Sequence, residues 1–245
     1  MLTWVIAGHT LREVTRQPAL YYLVLLFGLL ILTSPLYTAF GFGGEWMLMR
    51  EAGLATVALC GLLTAVLASS RLVHREIESG TAQLVLSKPV RPYEFLIGKF
   101  LGIAGVLLGV TLLLGLILIL TVALTEGTWD LQLWKGVMAA YFEVLILSGL
   151  ALAFSVHLPF TPNAVLCGTI FVLGQLSFVT DGSSLGWLGL TLLPDFTHFQ
   201  AVQEAVTVRA SVPAGYLLLA GLYGVMYTTA VLLLGVFLLS RREIV

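Results

Sequence analysis

Apolar residues run along this chain in long unbroken blocks, and polar residues are confined to the gaps between them. A helix rises 1.5 Å per residue, so about 20 apolar residues are needed to cross a hydrocarbon core of about 30 Å. Six blocks meet or approach that length: 19–40, 52–70, 95–124, 136–156, 163–179 and 212–239. The third and sixth are longer than a crossing requires, which implies tilt or a portion standing outside the hydrocarbon. The fifth is the shortest. The pattern therefore predicts an all-α polytopic membrane protein with six transmembrane helices.

Three stretches do not fit the span pattern. In residues 1–18, at 100° per residue, Trp4, Ala7, Gly8, Leu11 and Val14 gather on one face while His9, Arg12, Glu13 and Arg16 gather on nearly the opposite one. This predicts an amphipathic helix in the cytoplasmic interface, with its arginines near headgroups or a protein partner. Residues 71–94, between the second and third spans, are too long and too charged for a hairpin turn. There Ser79-Gly80 is suited to ending a short helix and Pro89 to interrupting the next, while Pro92 suits the first position of the third span, with Glu94 in its first turn. Residues 180–211 carry few charges and many apolar groups, which predicts an outer loop of half-inserted helices covered by protein. The whole chain, 1–245, reads as a single transmembrane domain.

Composition agrees with the pattern: 59% of residues are hydrophobic and 10% charged, whereas a soluble domain carries roughly 25% charged residues. A net charge of −1 says little, because orientation depends on where Lys and Arg fall between spans. Arg12, Arg16, Arg71, Arg75, Lys88, Arg91, Lys99, Arg241 and Arg242 fall on one side. Only Arg50, Lys135 and Arg209 fall on the other. Both termini and the 71–99 connection are therefore expected to be cytoplasmic. The two cysteines, Cys60 and Cys167, lie inside apolar blocks and read as structural thiols. No signal-peptide cleavage is expected.

Within the spans, Glu143 stands out, since a charge at that depth costs at least about 2.5 kcal/mol unless it is paired or wetted. It is a candidate pathway residue, with pairing to Lys135 or Arg209 as the plain alternative. Gln175 and Ser177 are weaker candidates for the same lining. Gly98, Gly102, Gly105 and Gly109 have spacings that allow close helix packing. His9, His74, His157 and His198 show no metal-binding spacing, and no nucleophile with a matched base is apparent. Metal chemistry, intramembrane catalysis and a nucleic-acid partner are not expected.

The connection reads Arg75-Glu76-x-Glu78-x-Gly80-Thr81, then Leu84, Leu86-Ser-Lys-Pro89, Arg91-x-x-Glu94-Phe95 and Gly98-Lys99. This resembles the permease subunits of the ABC-2 exporter family. The layout is similar too, with an amphipathic N-terminal helix, six spans, a Leu193-Pro194 segment in the last outer loop and a terminal basic run. The resemblance implies a bacterial or archaeal cytoplasmic (inner) membrane protein that is no enzyme by itself and is driven by a separate ABC ATPase subunit. The 71–94 segment would then be a cytoplasmic coupling helix. Glu76, Glu78, Gly80 and Thr81, with Arg75, would contact the ATPase, and Arg12, Glu13 and Arg16 would brace the same cleft. ATP and Mg would be bound by the partner; no phosphate loop of the form G-x-x-x-x-G-K-[ST] occurs in the chain. A second permease copy or a similar permease is expected beside it. The alternative is a membrane anchor or force transmitter that couples a cytoplasmic ATPase to an extracytoplasmic partner.

Overall fold

The computed structural model describes residues 2–36, 45–78, 92–175 and 193–241. Among these, every regular element is a helix: α1 Leu2–Thr15, α2 Pro18–Thr33, α3 Glu45–Glu78, α4 Pro92–Glu126, α5 Leu133–Phe154, α6 Phe160–Gln175, α7 Thr197–Thr207 and α8 Ala214–Arg241. Five helices are long and apolar enough to cross a bilayer, over Pro18–Leu36, Trp46–Ser69, Tyr93–Glu126, Leu133–Phe154 and Ala214–Ser240.

The hub is α5. Every residue from Glu143 through Ala153 is buried, because α5 is surrounded by α3, α4, α6, α7 and α8. Small residues allow this enclosure. A Cβ on Gly61 of α3 would lie 2.7 Å from Val144, and one on Gly149 would lie 2.9 Å from Thr228 of α8. Lipid tails give helices no hydrophobic reason to associate, so close van der Waals contact at small residues supplies much of the adhesion. At the periphery, Tyr22, Leu25, Leu26 and Leu29 of α2 and Leu218, Leu219, Leu222 and Met226 of α8 are exposed, as residues facing acyl chains would be.

The N-terminal helix differs from its expected pose. Trp4 is 74% exposed and Gly8 is exposed, whereas Ala7, Thr10 and Val14 are buried. The stripe at spacings of three and four thus contains a threonine and omits the tryptophan. Its partner is α4: a Cβ on Gly98 would meet Ile6, one on Gly102 would lie 2.7 Å from the Ala7 carbonyl oxygen and from Thr10, and one on Gly105 would meet Leu11. Contacts that advance together along both helices mean that α1 runs beside the first turns of α4 in the same direction. The glycine groove of α4, and not a single apolar face of α1, selects the buried side. After Thr15, extended Gln17 and Pro18 at the first position of α2 redirect the chain, and α2 continues along α4, where Gly28 meets Leu114 and Ile117.

Both bounds of the second span shift, while α4 starts at the expected proline. α3 begins before residue 52 and stays helical through Glu78, so residues 71–78 extend the second span without a break. α4 starts at Pro92 with Glu94 in its first turn, and at 35 residues it is about 52 Å long, exceeding the hydrocarbon.

Of the expected fifth span, 163–179, the structure describes the part up to residue 175. α6 has 16 residues, about 24 Å, and residues 176–179 lie outside the described residues. The Asn163 side-chain amide donates to the Ala151 carbonyl at 2.8 Å, and the other end of α6 reaches Glu143 through Gln175. Over the described residues α6 therefore reaches the level of the middle of α5. At that level Phe196 and the Pro194 carbonyl press on Gly174, and α7 carries the chain onward until the Val206 carbonyl meets Arg50. Gly174 tolerates this approach because a Cβ there would collide with the Phe196 ring.

Candidate functional site

The middle of the bundle and its Arg50 end form two adjoining polar layers. The inner layer centres on Glu143, which is 1% exposed. Its carboxylate accepts one hydrogen bond from the Gln175 amide at the end of α6 and one, at 3.1 Å, from the Gln203 amide of α7. The alternative pairings read from sequence are not made. The Lys135 ammonium donates to the Val212 carbonyl at 2.6 Å, and Arg209 turns to Glu126. Both basic groups belong to the end of the bundle, while Glu143 lies about ten residues further along α5. Neutral amides take their place, which satisfies the carboxylate without adding a second buried charge.

The outer layer is an ion network. Arg50 of α3 is 0% exposed. Its guanidinium grips Glu126 through Nε and Nη2 at 3.1 and 2.7 Å and donates from Nη1 to Asp130 at 2.6 Å. Arg209 donates to the same Glu126 at 2.6 Å and lies over the Trp46 ring, 4.8 Å from its centroid. Two arginines and two carboxylates thus balance, and the planar fork suits the bidentate grip on Glu126. Asp130 also accepts the Gln132 N–H at 2.9 Å, which ties the turn between α4 and α5 to the network.

Between the layers a cavity of about 840 Å³ opens among α3, α6 and α7. Its walls are apolar at Met47, Leu54, Leu59, Phe171 and Val208, with Glu51 and Glu204 at its surface and Glu143, Gln175 and Gln203 at its floor. Clefts of about 300–1,000 Å³ with mainly apolar walls and a few placed polar groups suit small-molecule binding. Among the described residues no group of three His, Cys, Asp or Glu side chains is placed to hold a metal ion. Cys60 and Cys167 are buried and free.

Of the residues singled out from sequence, Glu143 and Gln175 meet in this site, while Ser177 lies outside the described residues. Arg12 and Glu13 on α1 and Arg16 just after it are exposed, and none of them lines the cavity. Arg75, Glu76 and Glu78 fall on the last turns of α3, and Gly80 and Thr81 lie outside the described residues. Sequence reasoning missed Gln203, Glu51, Glu204, Glu126 and Asp130. A signal existed for the first: Gln200, Gln203 and Glu204 recur at helical spacing in the otherwise largely apolar segment 180–211.

A family model described as ABC-2 family transporter protein matches residues 4–244. No curated protein matches the chain.

Proposed function

The chain belongs to the ABC-2 transporter family, and from that premise we propose that it works as the permease subunit of an ATP-driven exporter in the cytoplasmic membrane, with both termini inside. The observation that carries this reading is the family match over residues 4–244 on a bundle of membrane-length helices. Six crossings result if α6 and α7 together make the fifth. The Arg50 layer then lies at the outer face and the 71–94 connection at the inner one.

In this mechanism a separate ABC ATPase closes on ATP and favours one arrangement of the connection, and the spans follow as rigid bodies. Glu76 and Glu78, on the last turns of α3, transmit that movement, since α3 is helical from the Arg50 layer to Glu78. Arg75, Gly80 and Thr81 complete the ATPase contact, and Arg12, Glu13 and Arg16 brace it. The cavity beside Glu143 and Gln175 is the cargo site. A second permease copy, or a similar permease, completes the pathway. ATP and Mg stay on the ATPase.

The test is purification of the tagged protein from gently solubilised membranes. A phosphate-loop ATPase in about equal amount is the expected companion, and Glu76→Ala with Glu78→Ala should lower its retention or uncouple its activity. Absence of any ATPase, while other membrane complexes survive, would overturn the reading. A stable outer partner with no cargo-stimulated hydrolysis would favour the force transmitter instead.

A further inference from the structure

The charge inventory of the cavity is one-sided. Glu51 and Glu204 are exposed at its surface and Glu143 lies at its floor, and among the described residues no Lys or Arg lines it. The nearest guanidinium groups, Arg50 and Arg209, are turned to Glu126 and Asp130. Glu143 is also built in a way that leaves capacity. Its two hydrogen bonds come from neutral amides, whereas a carboxylate offers about four lone-pair positions. A cation that enters favours the ionised form of this carboxyl group, because low surrounding polarity strengthens the attraction. Around these carboxylates stand Met47, Leu54, Leu59 and Phe171, a wall suited to an apolar body.

We propose that the cavity between α3, α6 and α7 binds amphipathic organic cations, with the apolar body against Leu54, Leu59 and Phe171 and the positive centre drawn to Glu51, Glu204 and Glu143. This rests on the permease reading for its purpose, and it names the chemical class of the cargo. The ligand is held reversibly and no bond is made or broken.

The test uses two probes of nearly the same size and shape and opposite charge, tetraphenylphosphonium and tetraphenylborate. Each is titrated into the full-length protein in phosphatidylcholine nanodiscs, with empty discs as the blank. The expected result is saturable binding of the phosphonium, weakened at least about tenfold in Glu51→Gln with Glu204→Gln, and little binding of the borate. Both substituted residues are exposed, so the double variant should keep the unfolding temperature of the parent protein. Equal binding of both probes, no saturable phosphonium binding, or an unaltered double variant would overturn the inference. Because the titration needs no ATPase, its failure with the ATPase still co-purifying removes only the cargo class. Success without an ATPase removes only the coupling reading.

Discussion

At the scale of single residues, what a side chain touches decides more than what it is. Glu143 reads as a liability in an apolar helix, yet two glutamine amides hold it. Replacing it by alanine removes two hydrogen bonds from a partly buried site, a loss of about 1–3 kcal/mol. Glu143→Ala should therefore unfold at lower temperature in detergent, and Glu143→Gln, which keeps a side-chain carbonyl oxygen, should lose less. Equal losses would show that the hydrogen bonds contribute little. The glycines of α4 make a second case. A Cβ on Gly102 would lie 2.7 Å from the Ala7 carbonyl oxygen, whereas one on Gly109 would have nothing within 4 Å. Gly102→Ala should destabilise by about 1–3 kcal/mol through overpacking, and Gly109→Ala should be close to neutral. The sequence presents these glycines as equals; only the position of α1 separates them.

At the scale of elements, α7 is held at both ends by different means. Near its start Asp195 accepts from the Thr197 N–H at 2.9 Å, and its own N–H donates to Tyr223 at the same distance. At its far end Ala210 N–H returns to the Ala205 carbonyl at 2.8 Å, a capping arrangement whose turning residue usually is glycine. Here that residue is Arg209, at φ 58°. An arginine costs about 1 kcal/mol more than glycine in this conformation, and its bonds to Glu126 and Trp46 offset that cost. Arg209→Gly should accordingly keep the cap while releasing the latch. A cysteine at Val206, buried in the parent, should then react faster with a thiol reagent. An unchanged rate would mean that α7 does not depend on Arg209 for its seat. Arg50→Ala should be harsher, about 3–5 kcal/mol, because it strips a buried partner from Glu126 and Asp130.

At the scale of the whole molecule, the turns at the two ends of α5 belong to opposite faces. Trp129, 70% exposed, precedes α5, and exposed His157 follows it. Cysteines placed there should show opposite accessibility to a membrane-impermeant label in intact cells, with Trp129→Cys reactive from outside. Cys60 and Cys167 are buried and should contribute little background. Labelling of both sites from one side would overturn the proposed topology.

The all-helical membrane bundle was legible in the sequence because the pattern that makes it is one-dimensional. Hydrocarbon thickness sets the length of an apolar block, and every backbone group must be satisfied within its own helix. The start of α4 was legible for a similar reason, since Pro92 and Glu94 act within a single turn. Tertiary structure decided the rest. Which side of α1 is buried depends on a groove in α4 some 90 residues away. Whether Glu143 meets a cation or an amide depends on how far α6 climbs and where α7 enters. Arg50, Glu126, Asp130 and Arg209 form one network from residues scattered over the chain. For the fifth block hydropathy reports only affinity for an apolar environment; that its Asn163 and Gln175 meet Ala151 and Glu143 is decided by packing. Local rules specify elements; the site is made where distant elements meet, and only packing determines that.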